Sequence, residues 1–195
     1  MSKQTKDNDM KTNLFLIAFT TLFLANDAAQ AQSAGAKKTL IAYYSYGGNT
    51  RTVAQQIARA TGGDLFEIVP AAAYPTDYDT VVEQAKREIE AGARPALKNA
   101  LPDIGAYDVV FVGSPCWWAT VAPPVTTFLA GLNLSGKTVV PFMTHEGSRM
   151  GRTVADIRKL CPRATVTEGL PVRGGSVNRS EEEVRAWLRG MKLMR

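Results

Sequence analysis

The sequence has few of the residues that mark specialised protein classes. Its 195 residues include two cysteines and one histidine, which excludes a disulfide-dense scaffold. Apolar residues make up 45% of the chain, too large a share for a disordered protein. No block of Lys and Arg stands out despite the net charge of +5, so we do not expect a nucleic-acid partner. No internal repeat is visible, and the length suits one domain with a sizeable core.

The longest apolar run lies near the N-terminus. It extends from Leu14 to Ala25, follows several lysines and precedes Ala29-Gln30-Ala31, a pattern of small residues that signal peptidase recognises. The alternative is a membrane anchor, but a membrane span needs about 20 apolar residues. We therefore expect a signal peptide over residues 1–31, cleaved near Ala31, and a flexible lead-in over 32–38. The folded domain over 39–195 would then be periplasmic or secreted, without stable membrane insertion.

The rest of the chain alternates apolar strands with amphipathic helices. Strands are predicted over 39–44, 65–69, 109–113, 138–144 and 164–170, and a helix follows each of them. The last helix is predicted to begin with a capping box from Ser180 to Glu183. Residues 93–107 and 171–179 are predicted to be loop-rich insertions. This alternation predicts an α/β fold with a parallel sheet covered on both faces, and ligands at the carboxyl ends of its strands.

The loop after the first strand has the composition of a phosphate-binding turn. Ser45-Tyr46-Gly47-Gly48-Asn49-Thr50 connects a buried strand directly to a helix start. Its glycines allow close approach of the backbone to a ligand, and the helix N-terminus adds partial positive charge. The loop lacks the Lys of a Walker A motif and the spacing of the dinucleotide fingerprint. It therefore predicts a site for a phosphomonoester, unless it is a plain turn before a capped helix.

Two of the three tryptophans lie in the loop after the third strand, from Ser114 to Pro124. Buried tryptophans usually lie within a helix or a strand, whereas indoles on a loop at the end of a central strand can cover a flat aromatic ligand. We expect one indole to close the edge of the sheet and Trp118 to stack on the ligand.

The only histidine lies in the loop after the fourth strand, which runs from Thr144 to Gly151. His145 beside Glu146 would permit general-base chemistry. Alternatively, backbone N–H groups of this loop bind ring carbonyls while His145 packs or contacts solvent. We favour the second interpretation.

Three motifs at the expected strand ends resemble those of the flavodoxins. They are Tyr-Pro-Thr-Asp-Tyr at 74–78, Pro-Cys-Trp-Trp at 115–118 and Thr-His-Glu-Gly-Ser at 144–148. The resemblance implies a three-layer sandwich with a five-stranded parallel sheet in the order 2-1-3-4-5, and FMN as the cofactor. It implies phosphate contacts from Ser45, Gly47, Gly48, Asn49 and Thr50. It also implies contacts with the isoalloxazine ring from Pro115, Trp117, Trp118, Ala119, Thr144, Glu146 and Gly147.

The resemblance further implies a monomeric carrier that shuttles single electrons between redox proteins, with no catalytic side chain and no metal. Two alternatives stay open: an FMN-dependent NAD(P)H:quinone or nitro-compound oxidoreductase, and a non-redox flavin-binding module. Most flavodoxins are acidic, whereas this chain is basic. We therefore expect Arg149 and Arg152 to lower the energetic penalty on the reduced, anionic cofactor. The predicted topology places Cys116 and Cys161 at opposite ends of the sheet, too far apart for a disulfide.

Overall fold

The computed structural model describes residues 37–195, and within them strands alternate with helices as predicted. The predicted signal peptide over 1–31 and most of the lead-in lie outside the described residues. The strands are β1 Thr39–Tyr43, β2 Asp64–Glu67, β3 Val109–Trp117, β4 Thr120–Val121, β5 Thr138–His145, β6 Thr165–Val166 and β7 Leu170–Arg173. The helices are α1 Asn49–Thr61, α2 Tyr78–Glu90, α3 Pro123–Ala130, α4 Thr153–Leu160 and α5 Glu181–Gly190, with short 3-10 turns at Ile104–Ala106 and Gly174–Arg179.

The sheet has the predicted strand order. Its hydrogen-bonded neighbours run β2-β1-β3-β5-β6, with β7 beside β5 further along the same edge, and all of these pairs are parallel. With β6 and β7 taken as the two halves of the fifth strand, this is the order 2-1-3-4-5. The doubly wound, parallel fold is therefore confirmed.

The sheet contains seven strands rather than five, for two local reasons. The edge strand is interrupted between β6 and β7, opposite Pro141 of β5. The backbone O of Val139 accepts a hydrogen bond from the N–H of Thr167 in the edge strand. The backbone of Pro141, two residues further on, faces the same edge strand, but proline has no N–H to donate, so the hydrogen-bond ladder is interrupted there. The additional strand β4 pairs antiparallel with the end of β3, which runs four residues beyond the predicted strand.

Alternate side chains of the central strands enter two separate apolar layers. Ile41 and Phe111 pack with Ile57 of α1 and Leu188 of α5 on one face. The other face carries a second cluster beneath α2, α3 and α4, which includes Leu40, Val110, Val112, Phe128, Met143 and Ile157. Helices thus cover both faces, as predicted. No helix within residues 37–195 is long and apolar enough to cross a membrane.

Two predictions near the C-terminus were wrong. Residues 171–179, predicted to be a loop-rich insertion, contain most of β7 and a 3-10 turn. The predicted capping box does not form: no N–H of the first turn of α5 donates to Ser180 Oγ, and the Ser180 hydroxyl instead shares its proton between Gln56 Oε1 and Val177 O, each at 2.9 Å. The contact with Gln56 attaches the start of α5 to α1.

Candidate functional site

The turn between β1 and α1 presents unpaired backbone donors at a helix N-terminus. Ser45 Oγ closes the turn by accepting hydrogen bonds from the N–H groups of Gly48, at 3.1 Å, and Arg51, at 3.2 Å. Gly48 has a φ of 92°, in the left-handed region that favours glycine. The first turn of α1 contains no acidic residue. Within residues 37–195, the N–H groups of Asn49 and Thr50 donate to no protein acceptor. This arrangement favours an anion.

Side-chain contacts join this turn to the loop after β5. Thr50 Oγ1 and Thr144 Oγ1 lie 2.8 Å apart, and both threonines are buried. A Cβ atom on Gly174 would lie 2.0 Å from Glu146 Oε1 and 2.8 Å from Asn49 Nδ2, so these two side chains reach the same point. Gly174 lies in the segment predicted to be an insertion, so no pattern in the sequence indicated its position at this junction.

The loop predicted after the third strand is in fact a β-hairpin. Cys116 pairs with Val121 and Trp117 with Thr120, which leaves a two-residue turn at Trp118 and Ala119. Both turn residues have positive φ, 50° and 62°, as type I′ hairpin turns require. Residues other than Gly, Asn and Asp seldom adopt this conformation, so the turn is strained. Such strain is typical of functional sites.

The two indoles of the hairpin have different surroundings. Trp117 is half-buried and makes edge contacts with the rings of Tyr44, Tyr46 and Tyr74 at the end of the sheet. Trp118 is 45% exposed, and its Nε1 donates to Val82 O of α2 at 3.1 Å. The stacking of Trp118 on a ligand stays a prediction.

A backbone contact holds the hairpin against the loop after β5. The N–H of Arg152 donates to Ala119 O at 2.8 Å. Gly151 lies beneath this bond with a φ of 49°, and a Cβ atom there would lie 2.3 Å from Ala119 O. Only glycine therefore allows the two segments to approach this closely. The geometry fixes the distance between two of the three predicted ligand-binding loops.

The three loops surround one cleft of about 520 Å³, a volume in the usual range for small-molecule sites. Most of the predicted site residues line it: Gly47, Asn49, Thr50, Pro115, Trp117, Trp118, Ala119, Thr144 and Glu146. Ser45, Gly48 and Gly147 do not line it, although Ser45 and Gly48 hold the shape of the turn before α1. The cleft was not predicted to extend along α2, where Tyr78, Val81, Val82 and Ala85 line it. These four residues are spaced i, i+3, i+4 and i+7, which places them on one helical face. This spacing was the feature of the sequence that could have identified them.

Four further lining residues received no assigned contact from the sequence: Tyr46, Cys116, His145 and Ser148. Burial lowers the pKa of His145, Arg149 lowers it further, and Glu146 opposes the change. The imidazole is therefore neutral at pH 7. His145 Nδ1 is buried without a hydrogen-bond partner in residues 37–195.

Neither cysteine forms a disulfide within residues 37–195. Cys116 is a half-buried free thiol in the hairpin, and burial raises its pKa. Cys161 is a buried free thiol just after α4, and burial raises its pKa to about 11. A raised pKa keeps both thiols protonated and unreactive. In the described part of the chain, no cluster of His, Cys, Asp and Glu side chains is suited to a metal ion.

Comparison with known proteins identifies the family. The sequence matches the family described as Flavodoxin over residues 38–191. The chain belongs to the flavodoxin family. No curated protein matches it. Two solved flavodoxin-like relatives, a flavoprotein from Bacteroides eggerthii and one from Bacteroides uniformis, are 36% and 30% identical to it. The alignments cover 80% and 79% of this chain and 98% and 99% of theirs, each with a TM-score of 0.71.

A third flavodoxin-like structure includes a cofactor. It is a flavoprotein from Lactobacillus acidophilus in complex with FMN, 27% identical to this chain, with a TM-score of 0.63. The alignment covers 74% of this chain and 98% of that one.

Proposed function

We propose that this flavodoxin-family chain binds FMN in the cleft and passes single electrons between redox proteins. Membership of the family and the FMN complex of the Lactobacillus relative support the cofactor. The residues of this chain also fit it. One end of the cleft offers donors to a phosphate, and the other end lies between the tryptophan hairpin and the loop after β5.

The observation that carries the proposal is the unpaired N-terminus of α1. The N–H groups of Asn49 and Thr50 point from a turn that contains no acidic side chain, and the Thr50 hydroxyl lies beside them. Hydrogen bonds from backbone N–H groups to an anion are about twice as strong as those to a neutral acceptor. The phosphate of FMN would therefore supply a large part of its affinity here, without any lysine or arginine.

The flat ring would lie between the hairpin and the loop after β5. Trp118 and Pro115 supply apolar surface for one face of the ring, and the 144–147 segment supplies polar groups for its edge. When bound, FMN supplies the redox chemistry, because its ring can take up electrons one at a time or as a pair. The protein excludes water, orients the ring and sets its charge environment. We propose no protein side chain as nucleophile or proton donor.

Stepwise reduction of the FMN-loaded protein by dithionite tests the electron-carrier role. We expect two separate one-electron steps, visible as an absorbance band that rises and then falls. A single two-electron step, together with rapid and sustained oxidation of NADPH in the presence of a quinone, would instead identify an oxidoreductase. Binding of FMN without reversible reduction would identify a non-redox module.

We also propose that the mature protein acts outside the cytoplasm, in the periplasm or as a secreted protein. The support is the order of lysines, apolar run and small residues in positions 1–31. N-terminal sequencing of protein from the periplasmic fraction tests this. A mature N-terminus near Gln32 supports the proposal, and an intact Met1 in cytoplasmic protein contradicts it.

A further inference from the structure

Exposed aromatic side chains surround the mouth of the cleft. Among residues 37–195, the exposed large hydrophobic side chains are Tyr46, Leu65, Tyr78, Leu101 and Trp118, and three of these five line the cleft. Tyr78 is 75% exposed, Trp118 45% and Tyr46 39%. Trp, Tyr and Arg are the residues that contribute most to binding energy at protein interfaces. Their concentration at one opening indicates a contact surface rather than scattered surface residues.

One side of the mouth is positively charged. Arg173 lies beside His145 in the register of β7 and β5, and Arg149 follows in the adjacent loop. Both arginines are exposed, and neither forms an ion pair within the described part of the chain. Both also lower the pKa of His145, a residue that lines the cleft. The nearby Glu146 directs its carboxylate towards Gly174, at the junction of the loops.

The opposite side of the mouth has mixed charge. Asp79 and Glu83 are exposed on α2 close to Tyr78, whereas Lys86 lies over the ring of Trp118 at 5.2 Å. A membrane surface of uniform negative charge would attract the arginine side and be repelled by the acidic residues of α2. A protein can present carboxylates to one side and basic groups to the other. The charge pattern therefore favours a protein partner over a bilayer.

We propose that the cleft mouth, defined by Tyr46, Tyr78, Trp118, Arg149 and Arg173, docks a redox protein that places carboxylates over the two arginines. The inference rests on the proposed function, because a partner seated here would be next to the FMN ring. It specifies the partner by its chemistry: a docking face that is acidic where it meets the two arginines. Opposite charges would steer the encounter and orient the two proteins.

Cytochrome c in two forms of opposite charge is a suitable probe. The native protein is basic, and succinylation of its lysines makes it acidic while retaining the same haem. One electron passes from the reduced flavin to the ferric haem in each case. We expect the FMN-loaded, dithionite-reduced chain to reduce the succinylated form at least about tenfold faster at low salt, with the advantage lost at high salt. A binding titration of each form with the chain, with and without FMN, gives a readout that requires no electron transfer.

Two matched charge-reversal variants test whether the preference for succinylated cytochrome c depends on the two arginines. Arg149→Glu with Arg173→Glu should lower the rate and the affinity for the succinylated form about tenfold and improve both for the native form. The control, Arg163→Glu with Lys192→Glu, changes the net charge equally at the other end of the sheet. Neither control residue forms an ion pair within residues 37–195. We expect this control to change the preference less than twofold.

Three results would overturn the proposal. The first is an unchanged preference in the Arg149/Arg173 variant. The second is an equal change in the control, which would show an effect of net charge alone. The third is arginine-dependent binding to phosphatidylserine vesicles without binding to succinylated cytochrome c, which would identify a membrane surface. Failure of the proposed function is separate: a chain that takes up no FMN would still report on docking through the binding titration.

Discussion

Replacement of Gly151 by alanine should disturb the candidate site through the backbone alone. The new Cβ atom would lie 2.3 Å from Ala119 O, and the two segments must separate until this distance is at least 3.0 Å. The hydrogen bond from Arg152 N–H to Ala119 O, now 2.8 Å, would be lost. The hairpin that carries Trp117 and Trp118 would then move away from the loop after β5.

Two terms determine the loss of stability. Alanine in the left-handed region costs about 1–2 kcal/mol, and loss of the hydrogen bond costs about 1 kcal/mol more. We therefore expect a free energy of unfolding about 2–3 kcal/mol lower, which corresponds to a fall in Tm of about 4–12 °C for a domain of this size. FMN affinity should fall about tenfold, because part of the pre-organised cleft is lost.

Gly136→Ala is the matched control. Gly136 also has positive φ, 72°, but a Cβ atom there would meet nothing within 4 Å. It should cost only the conformational term, about 1–2 kcal/mol, and leave FMN affinity unchanged. Urea unfolding of the FMN-free proteins and fluorescence titration with FMN measure both quantities. If the two variants lose equal stability and bind FMN equally well, the contact at Ala119 does not hold the site together.

Four further predictions concern other parts of the chain. Thr50→Val should weaken FMN binding about tenfold in a fluorescence titration, because it removes a donor near the phosphate and leaves the buried Thr144 hydroxyl without a partner; unchanged affinity would contradict this. Arg149→Glu should make the second reduction potential more negative in a spectroscopic titration, because a carboxylate disfavours the anionic reduced cofactor; an unchanged or higher potential would contradict the role of the arginine. Non-reducing mass spectrometry should find Cys116 and Cys161 as free thiols, and a loss of two protons would show a disulfide. Mature protein should begin near Gln32 if the leader is cleaved as proposed, and a species that retains the apolar run would show a membrane anchor instead.

The parts of the fold that depend on periodicity were predictable. Each central strand is a short apolar run, and each helix has its apolar residues on one face, so the alternation and the strand order followed from the pattern and the family resemblance. Pro141 interrupts the edge strand only because its backbone faces that strand and not β3 on the other side of β5. That is a property of the sheet register and not of the local sequence.

The site was predictable only where single loops carry it. The glycine turn and the two tryptophans mark their loops directly. Residues whose role depends on contacts between segments far apart in the sequence were missed. In the sequence Gly174 is an ordinary loop glycine, and only the structure shows that the side chains of Glu146 and Asn49 converge on it. The hairpin at Trp118 and Ala119 was also missed, because its sequence lacks the Asn-Gly pair that usually forms such a turn.

The most direct test of the account is a titration of the purified, cofactor-free chain with FMN and, in parallel, with riboflavin, which lacks the phosphate. We predict one FMN bound per chain with quenching of its fluorescence, and binding of riboflavin at least about tenfold weaker because the N–H groups at the start of α1 lose their anion. Equal affinity for the two ligands would contradict the phosphate site. A chain that neither retains nor quenches FMN would contradict the cofactor and the electron-carrier function with it.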